Sequence, residues 1–373
     1  MRGGRATLVA SMVAVCLASA PVQFAAPALG LPASLSNDEF WHLTQTLSEP
    51  AGFFNSDNLV SNEDTFQHVL PELSRTVLPG GVYVGVGPDQ NFTYISELQS
   101  AMAFIPDVRR GNFQLHLMYK ALFGLSATRG EFLSKLFSRV VPPGLDAPAS
   151  AVQLMEAFTA APPDPSLYEA NVKAVRDYLE RHRGAPLEEG DRAGVEFVQH
   201  SFFVAGTGLT FVSNAGFRRS TYPTYAVLHT ATDLSGAERG YLSSEARYGR
   251  VKFLQDRNLI VPVVGKFSGP LALESIGAWI RERGGVVTAF YTSNVEQYLF
   301  QDGTWDRFRR NVGLMPLDAT STFIRTCFNS CGSPAGSRSV ALLDSIPALL
   351  EMAATGRIQG YWDVLTHSRL AQP

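Results

Sequence analysis

The sequence predicts an α/β protein with a doubly wound, mostly parallel sheet and a helical insertion. Three stretches carry that prediction. Residues 80–112 (PGGVYVGVGPDQNFTYISELQSAMAFIPDVRRGN) read strand, glycine turn, helix, strand. Residues 258–300 repeat the alternation, with Leu259–Val264 as a buried parallel-type run, a turn at 265–270, a helix over 271–283 stopped by Gly284-Gly285, and a strand from 286. Between the two units, residues 111–204 are helical in pattern and read as an insertion on the sheet. Two strand–helix–strand units in one chain place ligands at the carboxyl ends of the strands, where the strand order reverses.

The first unit is the more informative. Val82, Tyr83 and Val84 lead into Gly85-Val86-Gly87, and Phe92, Ile95, Leu98 and Met102 then recur at near-helical spacing. A second apolar run, Ala103 to Ile105, ends at Asp107, twenty positions past Gly87, which is the spacing of an acidic residue that accepts ribose hydroxyls. Glycines after a strand allow a tight turn and close backbone approach, while the following helix offers unpaired N–H groups. Pro88-Asp89-Gln90 follows Gly87 where a dinucleotide fingerprint would carry its third glycine. A looser loop of the S-adenosylmethionine type fits better than a pyrophosphate cradle, and the alternative is an α/β turn that binds nothing. The expected cofactor-binding residues are Gly85, Gly87, Asp89 and Asp107. Strand-end position nominates Ser293, Asn294 and Tyr298 for an acceptor, and puts Gly265 and Lys266 at the same edge.

Earlier in the chain, residues 35–47 (LSNDEFWHLTQTL) have a Ser-Asn-Asp cap and helical spacing of Phe40, Leu43 and Leu47. Residues 48–63 form a loop dense in Asn, Asp and Ser, which builds turns and could also close over a ligand at the glycine turn. Helical spacing returns over 65–73. Within the insertion, residues 111–138, 151–158, 167–183 and 188–204 read as helices, and strand character is expected to resume near LTFVS at 209–213. Residues 305–312 read as helix and STFIRT at 321–326 as strand. A loop and two amphipathic helices, 340–354 and 357–365, complete the expected organisation into a main domain of 35–326 and a tail of 327–373.

Composition bounds the function. The chain has 373 residues, 45% apolar and 17% charged, with a formal charge of −3 and no long run of Lys or Arg, so no basic stripe exists to track nucleic acid. Arg2 and Arg5 precede an apolar stretch over 6–20, followed by small residues and prolines to Gly30, the layout of a secretory signal peptide spanning 1–30. Its loss removes two arginines and no acids, taking the charge from −3 to −5. The stretch is short for a membrane span, so the expected location is periplasmic or secreted, or cytoplasmic if residues 1–30 do not act as a signal. Export leaves Cys327 and Cys331, in Cys-Phe-Asn-Ser-Cys, as a short-loop disulfide or as two unrelated cysteines.

Other chemistries lack their motifs. Gly265-Lys266-Phe267-Ser268-Gly269 has the wrong spacing for a nucleophile elbow. The seven histidines never pair at metal-ligand spacing, so no metal is expected. Tyr119 and Lys120 are adjacent, unlike the Tyr-x-x-x-Lys of short-chain dehydrogenases. Arg109 and Arg110 read as surface charges or salt-bridge partners.

The blocks GGVYVGVGPDQNFTYI, AFIPDVRRGNFQLHLMYKALF, NLIVPVVGKFSGP, VTAFYTSNVEQYLF and PLDATSTFIR resemble an uncharacterised bacterial family with a Rossmann-like fold similar to that of S-adenosylmethionine-dependent methyltransferases. The resemblance covers about residues 35–326. It implies S-adenosylmethionine as cofactor, with Gly85 and Gly87 in the cofactor turn and Asp107 at the ribose. Lys266 departs from the pattern, because an acidic residue is expected there. The function expected is transfer of a methyl group to an unknown acceptor; the alternative is an exported, non-catalytic protein that binds a nucleotide or another small ligand on the same fold.

Overall fold

The computed structural model describes residues 30–145, 148–211, 222–328, 331 and 337–371. The expected signal peptide lies outside them apart from Gly30. The main domain was expected to begin at 35, yet Leu31 is already buried, packed against Gly285.

Among the described residues seven strands form one sheet: β1 Val82–Gly85, β2 Met102–Asp107, β3 Ile260–Val264, β4 Val287–Ser293, β5 Thr322–Phe328, β6 Ser339–Ser345 and β7 Arg369–Leu370. Their spatial order is β3-β2-β1-β4-β5-β6-β7. The first five run parallel, β6 is antiparallel to β5, and β7 is antiparallel to β6. The chain therefore steps one way from β1 to β3, then returns to the other side of β1 and steps the opposite way. Strands β1, β2 and β3 are buried throughout, as their near-continuous apolar sequences require of a sheet covered on both faces. Pro262 is accommodated in β3 because that strand ends the strand order, where a missing N–H is tolerated.

Two sequence assignments change. Over the described residues 209–211 of the expected strand, Thr210 makes one isolated bridge to Thr224; Val212 and Ser213 lie outside the described residues, and the helices Tyr225–His229 and Glu245–Asp256 follow. The helical stretch between β2 and β3 accordingly runs from Arg110–Gly124 to Glu245–Asp256, beyond the 204 expected. The expected helix over 340–354 divides into β6 and the helix Ile346–Ala354. Val340, Ala341, Leu342 and Leu343 are buried and pair with β5, while the Ser345 hydroxyl caps the helix and Pro347 occupies its first turn.

A buried ion network holds the antiparallel half together. Arg325 in β5 is fully buried and donates to Glu296, 3.3 Å from Nη2 to Oε1, and to Asp344 of β6 at 2.7 Å; His367 contacts the other oxygen of Asp344 at 2.8 Å. At the end of β5, Cys327 and Cys331 are joined in a disulfide.

Candidate ligand site

The turn after β1 is held by its own side chains. Gly87 has φ +83°, a conformation that glycine adopts without strain. The Asn91 amide donates to the Val86 and Pro88 carbonyls at 2.9 and 2.6 Å and accepts from Tyr83 Oη at 2.8 Å. His116, from the helix Arg110–Gly124, donates from Nε2 to the Gly87 carbonyl at 2.9 Å. Burial pushes the His116 pKa down against the effect of that carbonyl and of Asp89 and Asp107, which favours the neutral ring; in that form, with Nε2 carrying the proton, Nδ1 is an acceptor. Asp89 is buried and takes bonds from His229 Nε2 at 2.9 Å and Tyr241 Oη at 3.0 Å.

Across the carboxyl ends of the strands runs a strap, residues 48–65. It meets β3 through Ser48 Oγ, which accepts from the Val264 N–H at 3.0 Å, and through the Glu49 N–H, which donates to the Val264 carbonyl at 2.8 Å. Over β2, the Gly52 N–H donates to the Val108 carbonyl at 2.8 Å, and Arg109 Nη1 donates to the Asp57 carbonyl. Over β1, the Asn58 amide lies 3.8 Å from where a Gly87 Cβ would stand. Over β4 and β5, Glu63 accepts from Tyr291 at 2.6 Å, from Thr326 at 2.5 Å and from Ser293. At β6, Thr65 Oγ1 accepts from the Ala341 N–H at 3.1 Å. The loop read from the sequence as residues 48–63, with Asp64 and Thr65, thus passes over the edge from β3 to β6.

Glu63 is the chemically distinctive group of the strap. Its carboxyl is fully buried with three hydroxyl donors, and burial pushes its pKa up; the hydroxyl bonds oppose that and nearby Asp64 adds to it. A buried carboxyl with a raised pKa at a strand end is suited to proton exchange. Its partner Ser293, the last residue of β4, has φ +53°, a left-handed conformation rare outside glycine and concentrated at functional sites.

The residues expected at the site are distributed as follows. Gly85 ends β1, but a Cβ there would fall 2.2 Å from Asn91 Oδ1 and 2.5 Å from Tyr83 Oη, so its open side is filled by protein, not ligand. Gly87 and Asp89 stand at the turn. Asp107 corrects the expectation of a free ribose acceptor: Oδ1 accepts from Arg109 Nε at 3.0 Å and from the Arg109 backbone N–H at 2.9 Å, and Oδ2 accepts from Arg109 Nη2 at 2.6 Å. A guanidinium two residues away satisfies the carboxylate by the geometry a ribose would need. Ser293 belongs to the Glu63 cluster, Asn294 follows it, and Tyr298 lies on the helix Val295–Gln301 with its ring edge-on to strap residue Phe54 at 5.7 Å. Lys266 is exposed at the same edge, and its backbone N–H donates to Glu49 of the strap at 3.2 Å.

Sequence reasoning missed Glu63, Gln90, Asn112 and His116. The i, i+4 spacing of Asn112 and His116 on a helix entered directly from β2 was the available signal. Gln90 Oε1, His116 Nδ1 and both amide atoms of Asn112 are buried without a partner, which marks the surroundings of the turn as incompletely satisfied. Asp107, as the carboxylate stands, has no oxygen left open to a ribose.

A cleft of about 460 Å³ opens at the other end of the sheet, lined by residues including Ser74, Pro79, Glu97, Arg247 and Arg250. Its charged groups are already committed to one another and to the backbone. Glu97 is already neutralised by Arg239 at 2.8 Å and by Arg247, and Arg250 donates to the Gln99 and Ser100 carbonyls at 3.1 and 2.8 Å. These groups serve the packing of the helix Glu245–Asp256 on Gln90–Glu97.

The sequence profile of a domain of unknown function, DUF7790, matches residues 58–182 and 149–340, together more than half of the chain. The chain belongs to this family. No curated protein matches it. The family's span holds β1 to β5, the glycine turn, Arg109, Asn112, His116, Ser293 and Glu63, and begins at strap residue Asn58. Among the described residues, no helix is long and apolar enough to cross a membrane.

Proposed function

We propose that this protein binds a small adenosyl-bearing ligand at the turn Gly85–Asp89, on a doubly wound, Rossmann-like sheet of the methyltransferase kind. The observation that carries the proposal is the reversal of strand order at β1, which has parallel partners β2 and β4 on its two sides and ends in the glycine turn. In open α/β sheets a ligand lies in the crevice outside the strand ends at such a switch point. Asp107 is assigned to Arg109, which in turn holds the strap at the Asp57 carbonyl, and not to the ligand. Calorimetric titration with S-adenosylmethionine and S-adenosylhomocysteine tests the proposal. Binding that Gly87→Val abolishes supports it, since a branched side chain disfavours φ > 0 and fills ligand space. No binding by well-folded protein at millimolar concentration rejects it.

A second reading, methyl transfer, is favoured by Glu63. Bound S-adenosylmethionine would supply an electrophilic methyl group. The protein would align an acceptor near Ser293, Asn294 and Tyr298, and Glu63 would take its proton. Export would set a conflict with that cofactor, which is made inside cells. The disulfide at Cys327–Cys331 supports export, because such bonds persist in oxidising compartments. Fractionation of the native protein separates the two: a periplasmic or secreted protein leaves the non-catalytic binding role in front.

A further inference from the structure

We propose that Asn112 recognises the ligand, pairing both atoms of its amide with a neutral donor–acceptor edge such as that of adenine. The inference rests on the carboxyl-edge site described above. Asn112 is 1% exposed, and neither Oδ1 nor Nδ2 has a partner. Buried side-chain amides in folded proteins are almost always bonded, because each atom gave up water to be there. Nothing local asks for asparagine: the residue is third in the helix Arg110–Gly124, where alanine or leucine has the higher propensity.

Its position gives the amide a direction. Asn112 precedes His116 by four residues, so the two share a helix face, and His116 faces the Gly87 carbonyl. The helix leaves β2 at the carboxyl edge, which places Asn112 one turn nearer the strap than His116. Also unpartnered are Gln90 Oε1, on the first residue of the helix that follows the glycine turn, and Nδ1 of His116, whose Nε2 meets the Gly87 carbonyl.

The chemistry of these atoms selects the ligand class. A phosphate offers only acceptors and would leave the Asn112 carbonyl, Gln90 Oε1 and His116 Nδ1 unmet, while standing beside the buried carboxylate of Asp89. Adenine presents an amino donor next to a ring-nitrogen acceptor, the arrangement that an asparagine amide reads with two bonds.

The test is calorimetric titration of the full chain with adenosine, S-adenosylhomocysteine and purine riboside, which lacks the amino group, against wild type and Asn112→Leu. Asn112→Ala is the second variant should leucine overfill the site. Wild type should bind adenosine and S-adenosylhomocysteine at least tenfold more tightly than purine riboside. The variants should lose that preference and bind S-adenosylhomocysteine at least tenfold more weakly, with a melting temperature equal to or above wild type, because an unsatisfied amide has been removed. Binding of S-adenosylhomocysteine by a folded variant within twofold of wild type overturns the role of Asn112 while leaving the carboxyl-edge site standing. Absence of binding of any of the three by wild type rejects that site, and the role of Asn112 with it.

Discussion

Asp107→Ala distinguishes a carboxylate kept for a ligand from one that holds the structure. Asp107 and Arg109 are 3% and 8% exposed, and the substitution removes two guanidinium bonds, at 2.6 and 3.0 Å, and one backbone bond at 2.9 Å. It leaves Arg109 buried with only neutral acceptors such as the Asp57 carbonyl. Breaking one side of a buried ion pair costs about 3–5 kcal/mol, and water reaching Arg109 past a loosened strap would hold the loss near the lower end. With a urea m-value of about 3 kcal/mol/M, that is a midpoint lowered by about 1 M. The assay is equilibrium urea unfolding, with hydrogen exchange of residues 50–60 as the local readout. Exchange there should quicken, because Arg109 also fastens the strap. Asp107→Ala with Arg109→Leu should recover part of the loss, since no charge is then left buried. A loss below about 1 kcal/mol, the range of a residue without structural duty, would refute this reasoning and return Asp107 to the ligand.

Arg325→Met should destabilise by about 3–5 kcal/mol in the same assay, because it leaves Glu296 and Asp344 buried without their cation. A loss under 1 kcal/mol would show that water reaches the network. Glu63→Gln should gain on wild type as pH rises. The folded Glu63 pKa lies above its unfolded value, so its contribution is complete below about pH 4.5 and is lost as pH rises through the folded pKa, whereas glutamine does not titrate. A stability difference that stays flat with pH would place Glu63 in contact with water. Cys327 and Cys331 should resist alkylation in natively produced protein until reduced, and ready labelling of both would remove the disulfide.

The sheet was legible because its strands are buried on both faces and read as unbroken apolar runs, Val82–Val84, Met102–Ile105 and Leu259–Val264 among them. Residues 340–345 were not, because VALLDS runs without a break into a helical pattern, and only pairing with β5 decides between strand and helix. At the site, the glycine turn could be found from spacing, since backbone conformation leaves its mark as glycine. The occupant of Asp107 could not. A carboxylate twenty residues past a glycine is the same letter whether it meets a ribose or an arginine two positions on, and only folding aims Arg109 back at it. Glu63 was hidden for a related reason: its three hydroxyl partners come from residues 291, 293 and 326, brought together by the adjacency of β4 and β5.

Hydrogen exchange with and without saturating S-adenosylhomocysteine tests the central claim most directly, because the sheet offers two ends and only one is assigned a ligand. Protection should appear together in residues 86–91, at the turn, and 50–60, in the strap, with no change in 244–250. Protection confined to residues 96–99 and 244–250, at the cleft beside Arg247, or unchanged exchange at the turn despite measured binding, would contradict the account.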